Sequence, residues 1–114
     1  MAATPGFNAL SASNNGVKYF ASDREVYKYT KSGVSARIFT GFTFTGIRSI
    51  ASSRDGYKIY VADGGDIKMI SNNPQNPQTI KTILSGGNVS GIALSNSEKY
   101  LYFTSRNTLN KLKL

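Results

Sequence analysis

The sequence predicts an all-β protein made of β-propeller blades: about three four-stranded antiparallel repeats of about 41 residues, half of a six-bladed propeller. Three observations carry this. A phrase recurs, "LSASNNGVKYFASD" (10–23), "IASSRDGYKIYVAD" (50–63) and "IALSNSEKYLYFTS" (92–105). The second and third match without gaps at an offset of 42, and the first matches the second at 40, then 41 after a one-residue gap. After each phrase comes a run that alternates apolar and polar residues, the period of a half-buried strand. No segment has a helical period of useful length.

Taken in order, the first unit has a small or apolar segment ending at Ser13, a turn at Asn15-Gly16 and the aromatic run "YFA". It continues with the alternating "EVYKY" (25–29), the loop "TKSGVS" and a fourth run, "ARIFTGF" (36–42). In the second unit Ser53 precedes Asp55-Gly56, then "IYVA", "DIKMI" (66–70), the polar loop "SNNPQNPQ" and "TIKTILS" (79–85). The third unit has Ser95, the turn Ser97-Glu98, "LYFT" and "TLNKLKL" (108–114). Asn-Gly and Asp-Gly between apolar runs are strong hairpin signals, because both residues tolerate positive φ. Glycine-containing links, "TG" at 45–46 and "GGNVSG" at 86–91, lead into the next unit. The blades are expected at about 7–45, 46–88 and, as a partial blade, 89–114 of a single domain.

Composition excludes several classes of chemistry. The chain has 114 residues and neither cysteine nor histidine. That removes disulfides, thiolate and imidazole metal sites, and Ser-His-Asp or Cys-His catalysis. Fourteen Lys and Arg against six Asp and Glu give a net charge of +8, which favours acidic partners such as nucleic acid or anionic glycans. The basic residues are scattered from Lys18 to Lys113 with no run of five, so a diffuse basic surface is expected rather than a basic tail. The opening "MAATPGFNALSASNN" has no signal-peptide pattern, and no stretch approaches the ~20 apolar residues of a membrane span. A soluble protein, intracellular by these criteria, is the expectation.

"SIASSRDGYKIYVADGGDIKMI" resembles the NHL and related six-bladed propeller repeats, and "VSGIALSNSEKYLYFTS" is similar to a blade of gluconolactonase-like and strictosidine-synthase-like propellers. The resemblance covers nearly the whole chain as three units and implies architecture more than function. In the gluconolactonase-like enzymes it implies a metal-ligating Asn before the inner strand and an Asp after the next strand. The matching positions here are Asn8 and Ser22, Arg48 and Asp63, and Ser90 and Ser105. No unit holds both ligands, and a hydroxyl or a cation is a poor substitute around a hard metal ion. No cofactor is therefore expected, and Asp63 is read as a structural residue that ties backbone amides at a strand end. WD40 kinship is disfavoured because tryptophan is absent.

Eleven strands cannot close a ring, and an isolated arc would leave apolar faces and sheet edges open. Symmetric closure by two copies, head to tail, gives six blades, so a homodimer is expected. The outer strand of the third blade is then expected from the other copy's "AATPGFN" (2–8), with Pro5 confining it to edge duty.

Candidate ligand contacts are Arg48, Arg54, Tyr57, Ser90 and Tyr100, against an ordinary solvated reading for each. Arg48 and Ser90 precede innermost strands and are expected to face the central channel. Arg54 with Asp55 lies on a loop between strands, and Arg24 with Asp23 is placed likewise. Tyr57 and Tyr100 flank turns beside lysines, whereas Tyr60 and Tyr102 hold equivalent central-strand positions and are expected in the core. Gly64-Gly65 and Gly86-Gly87 read as tight turns rather than phosphate cradles, having no P-loop ending. "NNPQNPQ" (72–78) reads as a stiff connector between outer strands in preference to a recognition loop. Three functions follow: a non-catalytic binding or scaffold module for a protein or glycan ligand, an RNA-binding NHL-like propeller, and a degenerate propeller hydrolase. The first is preferred, because no residue has the signature of a committed catalyst.

Overall fold

Alternating runs separated by turn pairs can bury one row of side chains on each face, and the chain builds its strands from them. In a computed structural model, which describes residues 9–12, 17–22, 24–30, 32–33, 35–38 and 44–114, the described residues form eleven strands. Asn8, Ser13, Asn15-Gly16, Asp23 and the stretch 2–8 lie outside them. The first sheet joins β1 (Ala9–Ala12), β2 (Lys18–Ala21), β3 (Val26–Tyr29) and β4 (Ser35–Ile38) in that order. The second joins β5 (Ile47–Ser52), β6 (Lys58–Asp63), β7 (Asp66–Ser71) and β8 (Thr79–Leu84). The third has β9 (Val89–Leu94), β10 (Tyr100–Ser105) and β11 (Thr108–Lys113). Every pairing is antiparallel between consecutive strands. This is the expected 4-4-3 meander, three blades of a propeller.

The first strands of the sheets, β1, β5 and β9, lie side by side, so the sheets radiate from a common inner line. Between blades the core falls into two clusters. Tyr19, Ala21 and Val26 of the first sheet meet Ile50, Ile59, Val61 and Ile70 of the second. On the opposite face of the second sheet, Ala51, Tyr60, Ala62 and Ile67 meet Val89, Leu101 and Phe103. Successive residues of β6 thus face opposite neighbours, Ile59 and Val61 one way and Tyr60 and Ala62 the other. That is why "IYVA" is a continuous apolar run: a strand covered on both faces has no solvent row.

The turns follow the sequence. Gly64 and Gly65 have φ of 60° and 94°, the signs a two-residue I′ hairpin demands, and a Cβ on Gly64 would collide with Thr45 Oγ1. The inner strands share one irregularity: the ladder shifts between Ile47 and Ser49 and again at Thr104/Ser105, opposite Gly91 and Val89. Arg48 and Ser90 are therefore bulge residues at equivalent positions, and a bulge re-aims a side chain.

One expectation differs. Tyr60 is 3% exposed, in the core, but Tyr102 is 37% exposed. Its face of the third sheet, which also carries Ala93, Thr104, Leu109 and Lys111, has no described blade beside it. Burial of a central-strand residue needs a neighbouring sheet, and the described residues place none on that side of Tyr102. Among the described residues, no helix is long and apolar enough to cross a membrane.

Candidate functional site

Antiparallel meandering gives each sheet two ends, and the candidate residues divide between them. At one end lie the β5–β6 and β9–β10 turns and the β7–β8 loop. Ser53, buried, opens the β5–β6 turn: its Oγ donates to Asp55 Oδ1 at 2.7 Å and accepts the Lys58 amide at 3.0 Å. The Tyr57 amide donates to the same Asp55 oxygen at 2.9 Å. Hydrogen bonding from Ser53 and then from the Tyr57 amide holds the Asp55 carboxyl below its ordinary value, because both donors stabilise the charged form.

Loop 72–78 is pinned against this turn. The Asn72 amide donates to the Tyr57 carbonyl at 2.7 Å, and Asn72 Nδ2 to the Gly56 carbonyl at 3.2 Å. Gln78 Nε2 donates to Asn72 Oδ1, and the Asn76 amide to the Asn73 carbonyl at 3.0 Å. The ring of Tyr57, 41% exposed, stands between two hollows of about 570 and 370 Å³. Asp55, Tyr57, Asn73 and Asn76 line both.

Arg54 spends its donors between blades. Its backbone amide donates to Glu98 Oε2 at 2.7 Å, its Nη2 to the Asn96 carbonyl, and its Nε lies 3.6 Å from Glu98 Oε2. Glu98 has φ of 60°, a conformation disfavoured for a side chain with a Cβ. The turn itself demands it, since Gly56 at the equivalent place of the β5–β6 turn has φ of 76°. The Arg54–Glu98 pair is a clasp between the second and third blades. Tyr100 starts β10 with Lys111 Nζ 4.6 Å from its ring centroid, a cation–π contact.

At the other end stand Arg48 and Ser90. Arg48 is exposed on its bulge. Ser90 Oγ lies 2.9 Å from Thr104 Oγ1, a bond within the third blade. Asp63 is fully buried and accepts from Gly46 N at 2.7 Å, Thr45 Oγ1 at 3.1 Å and Lys68 Nζ at 2.5 Å. It ties the end of β6 to the link that precedes β5, the structural role expected of it. In the third blade Ser105 Oγ donates to the Gly87 carbonyl and does the same with one bond. Among the described residues no three His, Cys, Asp or Glu side chains are grouped as a metal site.

The structure thus brings Arg54 and Tyr57 onto one turn, sets Tyr100 on the next blade, and puts Arg48 and Ser90 at the far end. The sequence pairs Asp55 with Arg54 as loop positions, but it favours a stiff connector for the loop that carries Asn73 and Asn76, so those two amides are missed. The available signal was a run of amides between prolines directly after a strand, a composition that offers donors and acceptors together.

No family model matches the chain, and no curated protein matches it in sequence. Solved structures do. Hydrazine synthase from Kuenenia stuttgartiensis superposes with a TM-score of 0.77 at 17% identity, over 96% of this chain and 33% of that one. A protein of unknown function from Desulfotomaculum acetoxidans gives 0.67 at 18% identity, over 90% and 35%. A catalytically inactive virginiamycin B lyase from Staphylococcus aureus, with quinupristin, gives 0.61 at 15% identity, over 95% and 41%. The chain spans between 33% and 41% of the length of these structures. The first contains a propeller and the third is one. At such identities the likeness concerns fold alone: the chain has the architecture of consecutive β-propeller blades.

Proposed function

We propose that this chain is a non-catalytic β-propeller module that closes head to tail with a second copy and presents its blade-end loops to a protein or carbohydrate ligand. One observation carries the reading. The third-sheet face bearing Ala93, Tyr102, Thr104, Leu109 and Lys111 repeats, at an offset of 42, the second-sheet face bearing Ala51, Tyr60, Ala62, Ile67 and Met69. The second-sheet face is buried and the third-sheet face is open.

What covers such a face is known from the second blade: apolar side chains such as Leu101 and Phe103. The outer face of the first sheet has the same character. There Phe20 and Tyr27 pair across β2 and β3 with rings stacked at 5.4 Å, and Tyr29 stands 45% exposed beside them. A second copy supplies this surface and receives it in turn, so a two-fold axis closes six blades and covers both apolar faces. The lack of His and Cys in the sequence supports the non-catalytic part of the reading. Size-exclusion chromatography with light scattering tests closure: a particle of twice the 12.3 kDa chain mass is expected, and a stable monomer overturns it.

A second reading, an NHL-like propeller that binds RNA, is favoured by one feature. Arg24, Arg48 and Arg106 are exposed at the same end of the three blades, one from each. Filter binding with a salt titration tests it. A steep fall in affinity with salt, lost on replacing these arginines, supports it, and no binding at low salt removes it.

A further inference from the structure

We propose that the groove on both sides of Tyr57 is a binding site for a neutral oligosaccharide. The site deepens the reading of the chain as a binding module, but it does not depend on closure. Its walls come from the first and second blades, with Glu98 of the third at one margin.

The chemistry of the walls selects the ligand. The two adjoining hollows fall in the size range of small-ligand sites, about 300–1,000 Å³. The larger is lined by the hydroxyls of Ser71 and Thr79, and the smaller by the side chains of Thr30 and Gln78, with Ser53 and Asn72 turned to hold the walls. Asn73 and Asn76 serve both. Side-chain amides and hydroxyls donate and accept at once, which is what the vicinal hydroxyls of a sugar require. The apolar parts are flat: the exposed ring of Tyr57, Pro74 and Pro77. An aromatic ring with a polar tip suits a ligand that is hydrocarbon on one face and polar at its rim.

Charge separates neutral from anionic ligands. The groove sets Asp55 and Glu98 against Lys28 and Lys58, so the +8 of the chain is not concentrated here. A polyanion meets no cluster of cations among these lining residues, unlike at the opposite end with its exposed arginines. The groove is also held in shape before a ligand arrives. Asn72 pins the loop to the Tyr57 and Gly56 carbonyls, Gln78 locks Asn72, and Tyr19 Oη reaches the Gly56 carbonyl at 3.4 Å. Preorganisation of this kind lowers the ordering cost of binding.

The test uses the 114-residue chain on an array of neutral gluco-, manno-, galacto- and N-acetylglucosamine oligomers, with sulfated glycans and poly-uridine RNA beside them. Calorimetry follows on the strongest binder. A neutral oligomer is expected to bind, with affinity almost unchanged between about 50 and about 300 mM salt. Tyr57→Ala should weaken it about tenfold or more, as truncation of a central aromatic contact does. Asn73→Ala should weaken it severalfold, and Tyr57→Phe should keep most of it. Circular dichroism confirms that each variant folds. No neutral sugar binding above about millimolar affinity overturns the proposal. So does binding confined to sulfated glycans or RNA with a steep salt dependence, and so does wild-type affinity in both Tyr57→Ala and Asn73→Ala. A dimer that binds no sugar removes this site and leaves closure standing, whereas a monomer that binds sugar does the reverse.

Discussion

The second and third blades are written in the same phrase yet differ in what they touch. Ile67 is 0% exposed and Leu109, its counterpart 42 residues on, is 72% exposed. At the same offset Ala62 becomes Thr104 and Met69 becomes Lys111. Their fastenings differ as well. Asp63 accepts three hydrogen bonds where Ser105 makes one. The β6–β7 turn uses Gly64-Gly65, whereas the β10–β11 turn forces Arg106 and Asn107 to φ of 48° and 69°. The repeat specifies a blade. The neighbouring sheet decides whether that blade is a core or a surface, and the third blade is fastened as a surface that still carries an aromatic and a leucine.

The largest contrast concerns the strand-end ties. Asp63→Ala leaves the Lys68 ammonium and the Gly46 amide without their buried partner, and should cost about 3–5 kcal/mol in urea unfolding. Ser105→Ala should cost only about 1 kcal/mol. Equal costs would break the comparison. Next come the apolar rows. Ile67→Ala should cost about 2–5 kcal/mol in any state of assembly. Leu109→Ala should stay within about 0.5 kcal/mol in chain dilute enough to be dissociated, its effect falling on association.

A smaller effect, of opposite sign, is expected at the turn. Arg106→Gly relieves a left-handed residue and should raise stability by up to about 1 kcal/mol, read from the urea midpoint. The smallest is a pH effect at Asp55. Its carboxyl is held below the unfolded value of 3.8, so its contribution is complete above that pH and is lost as pH falls through the depressed value. Asp55→Asn should therefore flatten the acid limb of the stability profile below about pH 4. Ser53→Ala, which removes the strongest of the hydrogen bonds on Asp55, should do the same in part.

Strands and turns were legible in the sequence because their causes are local. Period-two alternation in "DIKMI" and the pair Asp55-Gly56 need no distant partner. The structural part of Asp63 was legible for a similar reason, since it closes a strand beside a glycine turn. Tyr102 was not, because its burial belongs to a sheet that the third blade does not contain. The Arg54–Glu98 clasp joins residues 44 apart, and nothing in either turn names the other. The Tyr57 groove was half legible. Its aromatic and its amide loop stood out, but the bonds from Asn72 to Tyr57 and Gly56 that make them one surface arise only when β7 folds back on β6. Net charge, spread along the sequence, did not locate the groove, whose lining carries two acidic and two basic residues.

The central claim is that the open third-blade face meets the first-blade face of another copy. Sedimentation equilibrium of the wild-type chain beside Leu109→Asp tests it most directly. The account predicts twice the 12.3 kDa chain mass for the wild type, and a single-chain mass for the variant with its strand signal intact. A wild-type chain that stays at single mass across the concentration range, or a Leu109→Asp variant that associates as the wild type does, would contradict it.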